Sequence, residues 1–407
     1  MDMKRRSFIK GATAGVAGAA AVAGIAVAAT RTDAATPQAA EAPPELIPFH
    51  GAHQAGVFTP PQRAGAFAVF DVTASKADLP ALFQMLAGRS RMLATGGSTV
   101  DLGVGAPPAD SDVVGPFVPS DGLTITVGVG ASLFDQRFGL ASKKPAKLTA
   151  MTTFPNDTLD PAWCHGDLVL QICANNVDVA HHALRDLTKH TRGAMQLRYR
   201  MNGFQSPPRP TGTQRNLMGF KDGIANPKEP EADKLVWVQS GASGEPAWTA
   251  GGTYMVVRMI RMLVEFWDRV SLSEQEKMFG RKRDTGAPLD GAVELDAPRY
   301  ANDPKGDIIP LDSHIRMANP RTAATDLTRL LRRGYNYDRG VDLNGNLDVG
   351  LIFAAFMQDI ARQFEATQKR LIDEPLVDYI QPYGGGYFFA FPGLADAKDW
   401  YGRTMFA

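Results

Sequence analysis

Two short stretches of this sequence place groups able to move a proton or ligate a metal inside irregular, polar surroundings. The first is Gly219-Phe-Lys-Asp-Gly223 and the second is Asp312-Ser-His-Ile-Arg-Met-Ala-Asn-Pro-Arg321. His314 in the second can serve as a metal ligand or an acid–base group. A neutral imidazole offers a lone pair, and its ordinary pKa lies near neutrality. Asp222 in the first can accept a proton, but Asp-Gly is also a common turn dipeptide. Residue type alone leaves both readings of Asp222 open. The other histidines are less suggestive. His181, His182 and His190 fall on one amphipathic segment and read as surface residues, and His165 reads as structural.

Other chemistries are absent from the sequence. There is no His-Glu-x-x-His, no Gly-x-Ser-x-Gly and no Cys-x-x-Cys. The missing Cys-x-x-Cys removes covalent c-type haem, thiolate zinc and cysteine-bound iron–sulfur clusters. The only two cysteines, Cys164 and Cys173, are nine residues apart along a strand-like run. An odd separation puts them on opposite faces, so free thiols are expected. Lys and Arg together number 43, as do Asp and Glu. Without residues 1–35 the balance is 38 basic against 41 acidic groups. That argues against a nucleic-acid partner.

The elements that would position these groups come in two similar series. Ala66–Thr73 reads as a strand, and Ser75-x-x-Asp78 opens a helix to about Leu93. Leu123–Val129 and Asp167–Ala174 read as strands, Val177–Thr191 as a helix and Gln196–Phe204 as a strand. The order β-α-β-β-α-β is ferredoxin-like. It recurs with a strand at Gly252–Met262, a helix capped by Ser273-x-x-Glu276, a strand at Gly350–Met357 running into a helix, and a strand at Gly386–Phe391. The fold class is therefore α+β, with two ferredoxin-like domains over 49–205 and 206–407. Residues 205–250 and 282–330 are long, irregular and rich in Pro, Gly, Asn and Asp. Such segments inside a compact domain are usually functional, and both candidate motifs lie in them.

The N-terminus carries an export signal. Lys4-Arg-Arg-Ser-Phe-Ile-Lys10 precedes a weakly hydrophobic Ala- and Gly-rich run to Ala29, with small residues suited to cleavage after Ala28 or near Ala35. The paired arginines give the twin-arginine form. We expect a signal peptide over 1–35, a linker over 36–48, and a periplasmic or extracellular location reached through the twin-arginine export machinery. That route carries folded proteins and suits a chain that takes up a cofactor first.

With these residues in view, the sequence resembles the dye-decolorising (DyP-type) haem peroxidases. Gly219-Phe-Lys-Asp-Gly-Ile-Ala-Asn-Pro227 is similar to their G-x-x-D-G signature. His314-Ile-Arg-Met-Ala-Asn-Pro-Arg321 resembles their proximal-histidine segment, and Leu331-Arg-Arg-Gly-Tyr335 their distal-arginine segment. Pro48–Gly56, Phe154–Asp157, Cys164–Leu168 and Gly384–Phe389 match the exported deferrochelatase/peroxidase subgroup. The resemblance implies one haem b per chain in the C-terminal domain, with His314 as the axial iron ligand. Gly223, Ile224, Ala225, Asn319, Pro320, Arg321 and Arg332 would surround the porphyrin, with Arg321 toward a propionate. Asp222 and Arg332 would be the catalytic pair that activates hydrogen peroxide. Where part of the family has an Asn two positions after the distal arginine, this sequence has Gly334, which leaves Asp222 and Arg332 as the only polar pair expected there. For the carboxylate that accepts the other N–H of His314, Asp359 is the candidate. A helix N-cap is its competing role.

The implied activity is oxidation of dyes, phenols or another reductant. The alternative is an iron-uptake role beside an iron permease, either oxidising ferrous iron or removing iron from haem while leaving protoporphyrin. A non-catalytic haem carrier would need neither Asp222 nor Arg332. Electrons could hop through Tyr335, Tyr337, Trp267 or Tyr387, each of which also fits a plain core position. A homo-dimer is expected by analogy.

Overall fold

Alternation of small and branched apolar residues makes Ala64–Val72 (β1) a strand buried on both faces. The structure, a computed structural model, describes residues 45–407, so the leader and most of the linker lie outside it. After β1 come helix α1 (Leu79–Thr95), strands β2 (Thr124–Gly130) and β3 (Leu168–Ala174), helix α2 (Val177–His190) and strand β4 (Met195–Phe204). The second series is β5 (Thr253–Met262), α3 (Leu272–Phe279), the short α4 (His314–Ala318), β6 (Tyr335–Val341), β7 (Leu347–Met357), α5 (Ala366–Arg370) and β8 (Ile380–Ala390). The expected element order therefore holds in both halves, with β6 a strand of the second half that the sequence did not reveal.

Each half is a four-stranded antiparallel sheet, β2-β3-β1-β4 in the first and β6-β7-β5-β8 in the second. Both are the ferredoxin-like order. The halves also pair edge to edge. Phe388, Phe389 and Ala390 of β8 oppose Gly130, Val129 and Gly128 of β2, and Phe204 of β4 opposes Asn336 of β6. Eight strands thus close into a ring.

Side-chain alternation along each strand divides the core. Phe67, Val69, Val169, Met255, Val257, Ile352 and Phe388 fill the inside of the ring. Ala66, Phe70, Leu170 and Ile172 face outward under Phe83, Leu86, Leu184 and Leu187 of α1 and α2. On the second half the outward face is not covered by two long helices. There Ile260, Met262, Leu351, Phe353, Ile380 and Pro382 instead form one wall of a cavity.

Some local expectations change. The cap of α3 is Ser271, whose hydroxyl accepts from the Glu274 amide; Ser273 lies inside the helix. His182 is not a surface residue. It is 1% exposed, and its Nε2 lies 2.8 Å from the Asp110 carboxylate. Both cysteines are buried and free. Cys173 lies inside the ring and Cys164 outside it.

Candidate active site

His314 opens α4, a helix of five residues. A helix this short does not hold itself together, and its neighbours fix it. Arg370 of α5 donates to the carbonyls of Met317 and Ala318, each at 2.9 Å. Arg316 donates to Ile309 O at 2.8 Å and pairs with Asp303 at 3.3 Å.

The imidazole Nδ1 of His314 lies 2.6 Å from Oε2 of Glu374. This corrects the sequence expectation. Asp359 is not the partner of His314: its carboxylate accepts from Arg362 N at 2.9 Å and pairs with Lys147 at 3.3 Å. The N-cap of the helix that follows is Ile360, and Asp359 stands one residue before it. Glu374 is 3% exposed and stands just before Pro375, sixty residues beyond His314. Burial disfavours the charged imidazole, but the Glu374 carboxylate more than offsets it, and the net effect holds the His314 pKa above its ordinary value. With Nδ1 occupied by Glu374, Nε2 is the nitrogen available to a metal, and His314 lines the cavity.

Asp222 and Arg332 line the same cavity, and Oδ1 of Asp222 is 3.2 Å from an Nη of Arg332. Their loops are built to face it. Gly219 and Gly223 take φ of +87° and +95°, a region that favours glycine; this explains both glycines of the signature. The Asp222 amide donates to Gln214 O at 3.0 Å. Lys221, which also lines the cavity, is buried against Glu294. Arg332 sits on the two-residue strand Leu331–Arg332, which pairs with Phe356 and Ala355 of β7.

Asn226, a residue the sequence reading quoted but gave no role, ties the two loops together. Its amide donates to Arg332 O at 2.7 Å and accepts from Arg332 N at 3.1 Å. An Asn inside the Gly219–Pro227 motif was the available signal, but nothing local names its partner.

The cavity is open to solvent on one side, and the atom-free space in it and its mouth comes to about 1720 Å³. Gly223, Ile224, Ala225, Asn319 and Arg321 line it, and Pro320 does not. Much of the wall is apolar, from the outward side chains of β5, β7 and β8 with Phe279, Phe364 and Leu371. Around it stand Arg281, Arg321, Arg329 and Arg332. Arg329 pairs with Glu231 and Asp326, and Arg332 with Asp222. Among the described residues Arg281 and Arg321 have no carboxylate partner. Burial pulls the Arg281 pKa down to about 10, with Arg332 and Arg321 adding to the effect. A broad apolar slot with an imidazole Nε2 presented to it and two guanidinium groups unmatched by protein carboxylates fits a flat, apolar dicarboxylate that carries a metal.

Tyr335, Tyr337, Trp267 and Tyr387 are all at least 97% buried. Of these, Trp267 is connected to the histidine through one intermediate ring. It meets Phe279 at 5.8 Å, and Phe279 lies 6.0 Å from His314.

Known proteins resemble the chain over most of its described length. The model of the Dyp-type peroxidase N-terminal domain matches residues 54–205, and that of the C-terminal domain matches 213–395. Deferrochelatase of Escherichia coli (strain K12) is 51% identical over 371 residues, covering 89% of this chain and 87% of its own. Among solved structures, a DyP-type peroxidase from Cellulomonas bogoriensis is 36% identical with a TM-score of 0.79. It covers 89% of this chain and 98% of that one. Ferric DtpA from Streptomyces lividans is 34% identical, with the same TM-score and the same coverage. The chain belongs to the Dyp-type peroxidase family.

Proposed function

We propose that this chain is a haem b peroxidase, with one haem per chain bound through His314, that reduces hydrogen peroxide with electrons from a dye, phenol or other reductant. The observation that carries this reading is that the Asp222–Arg332 pair opens on the same cavity as the His314–Glu374 pair. When bound, haem would supply the iron at which peroxide is reduced, and peroxide would supply the two oxidising equivalents passed on to the reductant.

The residues around it divide the remaining work. Glu374 holds the tautomer and orientation of His314 and gives the ring anionic character. Asp222 takes the proton from one peroxide oxygen and delivers it to the other, so that the leaving oxygen departs as water. Arg332, 3.2 Å from Asp222, orients that carboxylate and stabilises negative charge as the O–O bond breaks. Arg281 and Arg321 offer positive charge to the two propionates.

The test is a pair of variants. His314→Ala is expected to lose the Soret band. Asp222→Asn is expected to keep haem and to react with peroxide more slowly by roughly 10²–10⁴-fold, the usual contribution of a positioned proton-transfer group. Unchanged stopped-flow rates in Asp222→Asn would sink the assignment.

Removal of iron from haem, leaving protoporphyrin, is the second reading. It is favoured by relatives that are 50–51% identical and bear the name deferrochelatase. Protoporphyrin fluorescence after incubation with haem tests it. Export by the twin-arginine route to the periplasm, action beside an iron permease and a homo-dimeric state complete the proposal. The leader around Arg5-Arg6 supports the export step. Replacing Arg5-Arg6 by Lys-Lys is expected to leave the protein in the cytoplasm.

A further inference from the structure

The segment over 285–299 crosses beside the cavity as a strap. Gly286 and Pro298 line the cavity, as does Tyr300 just beyond. No helix or strand occurs between Phe279 and Tyr300, and most of the strap's hydrogen bonds close on itself or its own roots. Leu289 N reaches Gly280 O, Ala292 and Val293 donate to Asp296, and Arg299 folds back onto Asp290. Among the described residues, one side chain alone joins 285–299 by hydrogen bonds to anything outside 280–303, and that is Glu294.

The Glu294 carboxylate accepts from the amide of Thr213 at 2.9 Å, from the Thr213 hydroxyl and from Nζ of Lys221. Lys221 also donates to Thr211 O at 2.7 Å. The Lys221 side chain is 3% exposed and that of Glu294 13%. Burial alone would raise the Glu294 pKa, but Lys221 and Thr213 bring it below the usual glutamate range. The flanking residues offer no apolar hold, since Val293 is 59% and Leu295 77% exposed.

The far end of this contact is the signature loop itself, where Lys221 precedes Asp222. A rigid, flat macrocycle needs a wide mouth to enter or leave, and displacement of a 15-residue strap widens one side of the cavity. We propose that the Glu294–Lys221 pair is a latch on this strap that sets how fast a tetrapyrrole enters and leaves. This rests on the haem reading above and sharpens it. A closed latch suits haem as a resident cofactor, and an opening latch is what haem as a substrate would need.

Transfer of haem from the loaded protein to excess apomyoglobin, followed at the Soret band, measures the exit rate. Glu294→Ala is expected to release haem at least tenfold faster with an unchanged Soret position, because His314 ligation is untouched. In the haem-free protein, amide exchange over 285–299 is expected to accelerate while β1, β3 and β5 stay protected. Thr213→Val, which keeps both charges, is the milder variant should Glu294→Ala not fold, and an increase of about threefold is expected. Release within twofold of the parent in these variants, with strap exchange unchanged, overturns the latch and leaves the haem reading standing. A protein that develops no Soret band on adding haem overturns both.

Discussion

Replacing Glu374 by Gln removes one charge and keeps the shape of the side chain, so it isolates what the carboxylate does for His314. The contact is short, at 2.6 Å, and Glu374 is 3% exposed, so water cannot take over the role. A hydrogen bond to a charged group contributes about 1.5–3 kcal/mol, and changes to such outer partners of a metal ligand typically cost 10–100-fold. The two figures agree, since a tenfold change corresponds to about 1.4 kcal/mol. We therefore expect Glu374→Gln to retain haem, to raise the iron(III)/iron(II) midpoint potential and to slow the reaction with peroxide by about 10–100-fold. Potentiometry under anaerobic dye titration and stopped-flow mixing with peroxide measure these two effects. Asp359→Asn is the matched control and should leave both unchanged. A potential that moves in Asp359→Asn and stays fixed in Glu374→Gln would refute the assignment of Glu374.

Other expectations concern the frame. Asn226→Ala should slow peroxide reduction by about tenfold with haem content unchanged, because it removes both side-chain hydrogen bonds that hold the Arg332 backbone, each contributing about 0.5–1.5 kcal/mol; an unchanged rate would mean that β7 alone fixes Arg332. Gly203→Ala would set a methyl 2.7 Å from the Tyr335 Cβ and 2.8 Å from Ile352 Cδ1. It should lower stability by about 1–3 kcal/mol, as overpacking usually does, and chemical denaturation checks this. Asp167 accepts from Ser132, Arg137 and the Val72 amide; burial alone would raise its pKa, but these partners hold it below the ordinary aspartate value of 3.8. Its contribution to stability is therefore present above about pH 4 and lost as pH falls through the lower folded value. Asp167→Asn should flatten the stability profile across that acid range, with urea midpoints as the readout.

The parts of the site that are local in the chain were legible in the sequence. Asp222 and His314 sit in motifs whose glycines, prolines and neighbouring polar residues mark them. The alternation and helix spacing of both halves placed nearly every strand and helix of the framework. What could not be read depends on contacts between distant segments. Glu374 and Asp359 are both carboxylates beside a helical turn, and only the packing of α5 against α4 decides which one reaches His314. His182 lies on an amphipathic helix with polar neighbours, and its burial depends on a loop 72 residues away bringing Asp110 to it. Ser271 and Ser273 both precede plausible helix starts, and the choice between them follows from the extended backbone at Ser271. The closure of the ring was equally invisible, because pairings such as β4 with β6 join strands separated by 130 residues.

That closure makes the two halves a single thermodynamic object. An isolated ferredoxin-like sheet has two free edges, which are templates for unwanted pairing. Here β2 and β4 of the first half are the very strands that cover β8 and β6 of the second. A fragment ending near Phe204 would bare both edges and the apolar lining of the ring at once. The protein should therefore unfold in one cooperative step rather than half by half. The C-terminal half, although it holds every candidate catalytic residue, should be unable to exist alone in solution.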